Sequence, residues 1–69
     1  MEYMEIKRFD RQTVGYIEID AAGNKTVRDF YHRILGYYDK SGNVTMNFYR
    51  QIIAFGDVTG IFFKDLIRI

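Results

Sequence analysis

The sequence predicts an all-β protein, an antiparallel meander of about seven short strands with a barrel-like or sandwich form. Three observations predict this fold class. The chain is dense in Val, Ile, Thr, Tyr and Phe, which favour strands. Turn signals recur at regular spacing along it. Three segments of the chain also align with one another, which predicts an internal repeat.

Length and composition limit the organisation. The chain has 69 residues and lacks Cys, Pro and Trp, and its 10 basic residues nearly balance its 9 acidic ones. We therefore expect one small domain over residues 1–69, with neither disulfides nor thiolate metal sites. The acidic start of the chain is unlike a signal peptide, and no apolar run is long enough to predict a membrane span. The compartment stays open.

The repeat is visible in three aligned segments, 8–16, 29–37 and 47–55. The chain then consists of three and a half hairpin units, at about 3–20, 21–39, 40–57 and 58–69. Equivalent positions keep their chemical type, and the following columns align: Phe9/Phe30/Phe48, Val14/Leu35/Ile53, Gly15/Gly36/Ala54 and Tyr16/Tyr37/Phe55.

Two kinds of turn are predicted in each unit. An Asp-x-x-Gly pattern predicts a hairpin turn, in which Asp hydrogen-bonds the following backbone and Gly takes a left-handed conformation. A second break falls at 9–12, 30–33 and 48–51, where the period-2 alternation slips and predicts a turn or a bulge. The predicted structural turn residues are Asp20 and Gly23, Asp39 and Gly42, and Asp57 and Gly60.

These signals place strands at about 3–8, 13–19, 24–29, 33–38, 43–47, 51–56 and 61–68. The last segment is ambiguous, because Phe62, Phe63, Leu66 and Ile67 also fit one face of a helix. The repeat register and the absence of a helix cap favour a strand there.

The strand at 33–38 predicts burial of both sheet faces. Alternation puts Leu35 and Tyr37 on one face, and Ile34, Gly36 and Tyr38 on the other. A sheet with one wet face alternates apolar and polar residues instead. We therefore expect a second covering layer, supplied by the curling sheet or by a second subunit in a homo-oligomer. The Gly15/Gly36/Ala54 column predicts close approach of another backbone or an aromatic ring.

The strand–Asp-x-x-Gly–strand unit resembles bacterial β-repeat proteins, including tryptophan-glycine and tyrosine-aspartate repeats. The residues that carry it are Val14–Ile17 before Asp20-x-x-Gly23-Asn24, and Leu35–Tyr38 before Asp39-x-x-Gly42-Asn43. The resemblance covers roughly residues 6–65 and implies a repetitive β architecture with no defined activity. Tryptophan-glycine repeats carry a Trp where this chain has Val14, Leu35 and Ile53.

The sequence predicts no catalytic residue, no metal site and no cofactor. His32 is the only histidine and has no second ligand or nucleophile at a suitable spacing. One Asp per turn is too few for a calcium loop. The favoured function is a non-catalytic structural or protein-interaction module that self-associates.

The alternative is a binding module for a polyanion, such as single-stranded nucleic acid, or for a carbohydrate. It rests on a column of cations with neighbouring tyrosines, in which acidic residues dilute the positive field. The candidate ligand-binding residues are Arg11, Tyr31, His32, Tyr49, Arg50 and Arg68.

Overall fold

The computed structural model describes residues 2–63 and contains one six-stranded sheet in which each strand pairs with the next in the chain. All pairs are antiparallel, so the all-β antiparallel meander is confirmed. The strands are β1 (Glu2–Lys7), β2 (Thr13–Ile19), β3 (Lys25–Asp29), β4 (Ile34–Asp39), β5 (Val44–Asn47) and β6 (Ile52–Phe55).

The barrel-like or sandwich form is wrong for the described part of the chain. The sheet is open, with β1 and β6 at its two edges. After β6 the chain turns beneath the sheet, and residues 57–63 do not form a further strand. Residues Thr59–Phe63 form a 3-10 helix there, which we call η1. The strand predicted at 61–68 is therefore wrong over 61–63, and its remainder lies outside the described residues.

The core lies between η1 and one face of the sheet, which we call the core face. Ile17 and Val27 pair across β2 and β3, and both are buried together with Phe63. Phe63 and Val27 are 0% exposed. Burying a phenylalanine stabilises the fold by about 1.5–3 kcal/mol relative to leaving it exposed. This burial explains why residues 61–63 do not continue the strand pattern of the repeat.

Two glycines make room for the rings of η1, in line with the close approach predicted for their column. A Cβ at Gly15 would meet the Phe63 ring and the Arg28 carbonyl oxygen. A Cβ at Gly36 would meet the Phe62 ring, and it would lie 2.5 Å from the Met46 carbonyl oxygen. Both glycines are therefore required where the aromatic rings rest on the backbone.

A β-bulge lies in each hairpin that joins an odd-numbered strand to the next even-numbered strand. This bulge explains how the strand at 33–38 avoids the two apolar faces predicted for it. Val27 pairs with Gly36 and Arg28 with Ile34, so Leu35 is the extra residue. The bulge breaks the alternation and lets Leu35 pack against the core. Equivalent shifts leave Val14 and Ile53 as extra residues. The expectation of a second apolar face at Leu35 is therefore wrong, because it assumed unbroken alternation.

The loop after β6 is fastened to the sheet by a buried threonine and an ion pair. The Thr45 hydroxyl is fully buried, donates to the Gly56 carbonyl at 2.7 Å and accepts from the Val58 N–H at 3.1 Å. Lys25 Nζ lies 2.5 Å from the Asp57 carboxylate. These contacts direct the chain under the core face.

Four hairpin turns share one hydrogen-bonding pattern: 8–12, 20–24, 29–33 and 47–51. In each turn, the backbone N–H of the fourth residue donates to the carbonyl of the first residue. The backbone N–H of the first residue donates to the carbonyl of the fifth residue. Gly23 takes the left-handed position with φ 89°, as predicted. Gly42 and Gly60 do not, which corrects the prediction for both. Asn43 is left-handed instead of Gly42, and Gly60 lies within η1.

Candidate functional site

Three equivalent turns lie at the same end of the sheet, because each joins an odd strand to the following even strand. We call this the aromatic end, formed by residues 8–12, 29–33 and 47–51. Neighbouring turns along it are two strands apart, or about 9–10 Å. Turns 20–24 and 40–43 and the loop 56–58 form the opposite end.

The cation column occupies the left-handed position of these turns. Arg11, His32 and Arg50 have φ of 71°, 67° and 63°. This backbone conformation is rare for residues with a Cβ and costs about 1–2 kcal/mol each. The structure therefore brings three of the four predicted cations to one end of the sheet. Arg68, the fourth, lies outside the described residues.

Two of these side chains, those of His32 and Arg50, fold back over the sheet face that is opposite the core face. The His32 ring stacks on Tyr16 with centroids 4.5 Å apart and planes 5° from parallel. The Arg50 guanidinium lies 4.2 Å from the centroid of Tyr37. One ring face of each tyrosine is thus covered by a side chain from the neighbouring turn at the aromatic end.

This sheet face, which we call the tyrosine face, also carries carboxylates. Glu18 pairs with Arg28, which donates a further hydrogen bond to the His32 carbonyl at 2.9 Å. Partial burial, Tyr16, Glu5 and Glu18 together raise the pKa of Tyr3. The acidic surroundings of Tyr3 oppose binding of an anion on this part of the face.

Aromatic side chains project from the tips of the three turns. Phe9, Tyr31 and Tyr49 are 75%, 74% and 71% exposed, and Phe30 and Phe48 are just over half exposed. Tyr31 and Tyr49 were predicted as site residues, whereas the three phenylalanines were missed. The sequence held a signal for them, because each lies inside a predicted turn, where aromatic residues are unusual.

The carboxylates at the aromatic end serve the turns themselves. Asp29 accepts hydrogen bonds from the backbone N–H groups of Tyr31 (2.8 Å) and Arg33 (2.9 Å) and from the Arg33 side chain (2.8 Å). Burial raises the pKa of Asp29, but these hydrogen bonds outweigh it and hold the pKa below its ordinary value. The Arg8 guanidinium likewise lowers the pKa of Asp10.

The opposite end carries the three predicted turn aspartates. Asp20 accepts from the N–H groups of Ala22 and Asn24 at 2.9 Å, and Asp39 accepts from the Ser41 N–H and hydroxyl. Asp57 accepts from the Thr59 N–H at 3.2 Å and hydroxyl at 2.8 Å. Burial raises the pKa of Asp57, but hydrogen bonds from Lys25 and Thr59 lower it overall.

The outer edge of β6 is the most apolar exposed strand surface in residues 2–63. Ile52, Ile53 and Phe55 are 57%, 46% and 83% exposed. Within the described part of the chain, only β5 pairs with β6, so its outer backbone groups have no strand partner there.

Residues 2–63 contain no cluster of three or more His, Asp or Glu side chains placed to hold a metal ion. The same residues include no helix long and apolar enough to cross a membrane. Comparisons with protein-family models, with characterised proteins and with solved structures found no significant match.

Proposed function

We propose that this chain is a non-catalytic protein-interaction module that self-associates by pairing the outer edges of two β6 strands. The observation that carries the proposal is the contrast between the two edge strands. Residues 51–56 contain no charge, and their apolar side chains are exposed. An exposed, uncharged edge strand is a template for pairing with another chain.

The other edge is protected against such pairing. β1 carries Glu2, Glu5 and Lys7 along its six residues. Charged side chains on an edge strand disfavour pairing with a further strand. Because only β6 lacks this protection, the favoured assembly pairs β6 with β6 of a second copy about a two-fold axis, which closes the assembly at a dimer.

The contact is small. Phe55 exposes most of the area of an aromatic side chain, about 150–250 Å², and the two isoleucines add to it. The sum is below the roughly 800 Å² per partner of a standard interface. We therefore expect a weak dimer whose population rises with protein concentration.

The test is the mass in solution, measured by light scattering across a range of concentrations. The wild-type chain should shift from monomer to dimer as concentration rises, and Phe55→Lys should remain a monomer. Tyr3→Lys is the matched control, because Tyr3 is 56% exposed on the charged edge strand β1. A wild-type chain that stays monomeric throughout, or a dimer lost equally in both variants, would refute the proposal.

Use of the cation column for a polyanion or a carbohydrate has less support. His32 and Arg50 already cover ring faces of Tyr16 and Tyr37, which closes those faces to a sugar or a base. Glu5 and Glu18 lie on the same sheet face. The resemblance to bacterial β-repeat proteins stays a prediction, and it is consistent with a module that extends by strand pairing.

A further inference from the structure

We propose that the aromatic end of the sheet docks onto the surface of an anionic lipid bilayer. This proposal is independent of dimer formation through β6. It starts from an internal comparison between turns of the same geometry that carry different side chains.

The turn at 20–24 makes the same backbone hydrogen bonds as the turns at 29–33 and 47–51. Its two central residues are Ala21 and Ala22, whereas the other two turns have Phe-Tyr at those positions. In all three turns, a side-chain oxygen of the first residue accepts hydrogen bonds from the backbone N–H groups of the third and fifth residues. The turn therefore folds without aromatic residues, and another property must account for the exposed rings.

The rings lie at one end, where Tyr31 and Tyr49 are largely exposed and Phe30 and Phe48 are about half exposed. They contact each other within each turn rather than the core: Phe30 meets Tyr31 edge-on at 5.6 Å, and Phe48 meets Tyr49 at 4.0 Å. With Phe9, they form three aromatic tips in a row about 20 Å long, given the spacing of strands in a sheet. A row of separate tips fits a flat surface better than it fits a groove-shaped partner.

Charge distinguishes the two ends of the molecule. At the aromatic end, Arg8 and Arg33 are paired with Asp10 and Asp29. Arg11 and Arg50 have no carboxylate partner among residues 2–63. Arg50 lies over the Tyr37 ring, so its guanidinium has to leave that ring to meet a flat anionic surface, whereas no ring contact holds Arg11 in the described residues. The opposite end has no aromatic residue in its turns. It carries Asp20, Asp39 and Asp57 together with Lys40 and with Lys25, which pairs with Asp57.

These features together favour a bilayer over a nucleic acid. Aromatic rings concentrate at the headgroup level of membranes, where one part of the ring is apolar and the other wet. Arginines near an anionic leaflet are attracted to it, and the attraction falls with salt. A single-stranded nucleic acid instead needs open ring faces along a charged groove. Here Tyr16 and Tyr37 are each covered on one face, and the tip rings pack against one another.

The experiment is co-sedimentation of the full chain with vesicles of phosphatidylcholine alone or mixed with phosphatidylserine. The wild-type chain should sediment with the phosphatidylserine vesicles, and binding should weaken as salt rises. Replacing Phe30, Tyr31, Phe48 and Tyr49 by Ala converts both turns to the Ala-Ala form of turn 20–24 and should reduce affinity by more than about tenfold. Replacing Arg11 and Arg50 by Gln should reduce it by about tenfold, because Arg50 gives up its contact with Tyr37 when it binds.

The control is Phe55→Ala, which removes a ring that is 83% exposed but lies on β6. At dilute protein concentration it should bind vesicles like the wild-type chain. Circular dichroism checks that the tip variants keep their strands. The proposal is overturned if the wild-type chain does not bind the anionic vesicles, or if the alanine tip variant binds them equally well. It is also overturned if an oligodeoxythymidine binds more tightly than the vesicles at the same salt concentration.

Discussion

At the scale of single residues, three side chains of the predicted column have a left-handed backbone, and the cost of that conformation has to be offset. Arg11, His32 and Arg50 occupy the backbone position that Gly23 fills in the turn at 20–24. Among the described residues, a stacking contact offsets the cost of the left-handed backbone for only two of the three. His32 stacks on Tyr16 and Arg50 lies over Tyr37, whereas Arg11 belongs to the first turn and has no preceding hairpin to cover.

We therefore predict that Arg11→Gly stabilises the protein and Arg50→Gly does not. Relief of the left-handed strain, less the extra entropy of glycine in the unfolded chain, should give Arg11→Gly about 0.5–1 kcal/mol. Arg50→Gly gains the same relief but loses a cation–π contact of about 0.5–1 kcal/mol. The free energy of unfolding in urea measures both. An equal gain in the two variants would mean that the Tyr37 contact contributes nothing.

The sequence predicted part of this residue-scale picture. Alignment of the segments placed Arg11, His32 and Arg50 in equivalent positions, and the structure puts them at one end of the sheet. Strand alternation does not determine whether a turn side chain extends into solvent or folds back. For that reason the stacks on Tyr16 and Tyr37 could not be foreseen. The exposed Phe tips were missed because aromatic residues are more often buried than displayed.

At the scale of elements, η1 depends on two positions that lack a side chain. The rings of Phe62 and Phe63 rest on Gly36 and Gly15. Sequence reasoning predicted close approach at this column but not which ring would approach. It also extended the repeat register into the tail, although the apolar pattern there fits a helical face equally well. The register was wrong over 61–63 because burial of Phe63 outweighs one more strand pairing.

Gly36→Ala should destabilise the protein by about 1–3 kcal/mol, because the new methyl group overpacks the site. The Phe62 ring can shift, but the Met46 carbonyl oxygen belongs to a neighbouring strand and cannot move without disturbing the sheet. Gly60→Ala is the matched control, since nothing lies within 4 Å of a Cβ there and its φ is not left-handed. Thermal melts of the two variants test the difference. A loss of stability for Gly60→Ala as large as that for Gly36→Ala would contradict it.

The Asp57–Lys25 ion pair gives the attachment of η1 a pH dependence. The pKa of Asp57 is lowered from its ordinary value of 3.8 in the folded state. A lowered carboxylate pKa stabilises the fold above the unfolded value, and this stability is lost as pH falls through the folded value. The Asp57 side chain is 34% exposed, so solvent screening limits the contribution at neutral pH to about 1 kcal/mol or less.

Asp57→Asn should therefore be less stable than the wild-type chain at pH 7, and the difference should vanish well below pH 4. The free energy of unfolding across this pH range measures it. In a Lys25→Gln background the effect of Asp57→Asn should be smaller, since the main cationic partner is already absent. A difference between wild type and Asp57→Asn that persists unchanged in acid would show that charge on Asp57 is not its cause.

At the scale of the whole molecule, the fold class followed from the sequence but the closure of the sheet did not. Six of the seven predicted strands and their order are confirmed, because alternation and turn signals are local. Closure of the sheet depends on where the residues after β6 pack. Contacts between residues far apart in the sequence determine that packing. Over residues 2–63 the outcome is an open sheet with a core on one face, an apolar edge at β6 and two ends that differ in aromatic and charged residues. Among residues 2–63, the hydrophobic cluster has three buried side chains at its centre, Ile17, Val27 and Phe63.

Because Phe63 is a large and fully buried member of this cluster, we expect the fold to be sensitive to Phe63→Ala. At about 0.05–0.15 kcal/mol per residue, a chain of this length has roughly 3–10 kcal/mol of stability. Removing a fully buried phenylalanine costs about 3–5 kcal/mol, so Phe63→Ala should be largely unfolded or melt at a much lower temperature. Phe55→Ala deletes the same ring at a site that is 83% exposed, and at dilute concentration its melting temperature should match the wild-type value. Similar losses in both variants would show that the two rings are buried to the same degree in solution, and that η1 does not cover the core face.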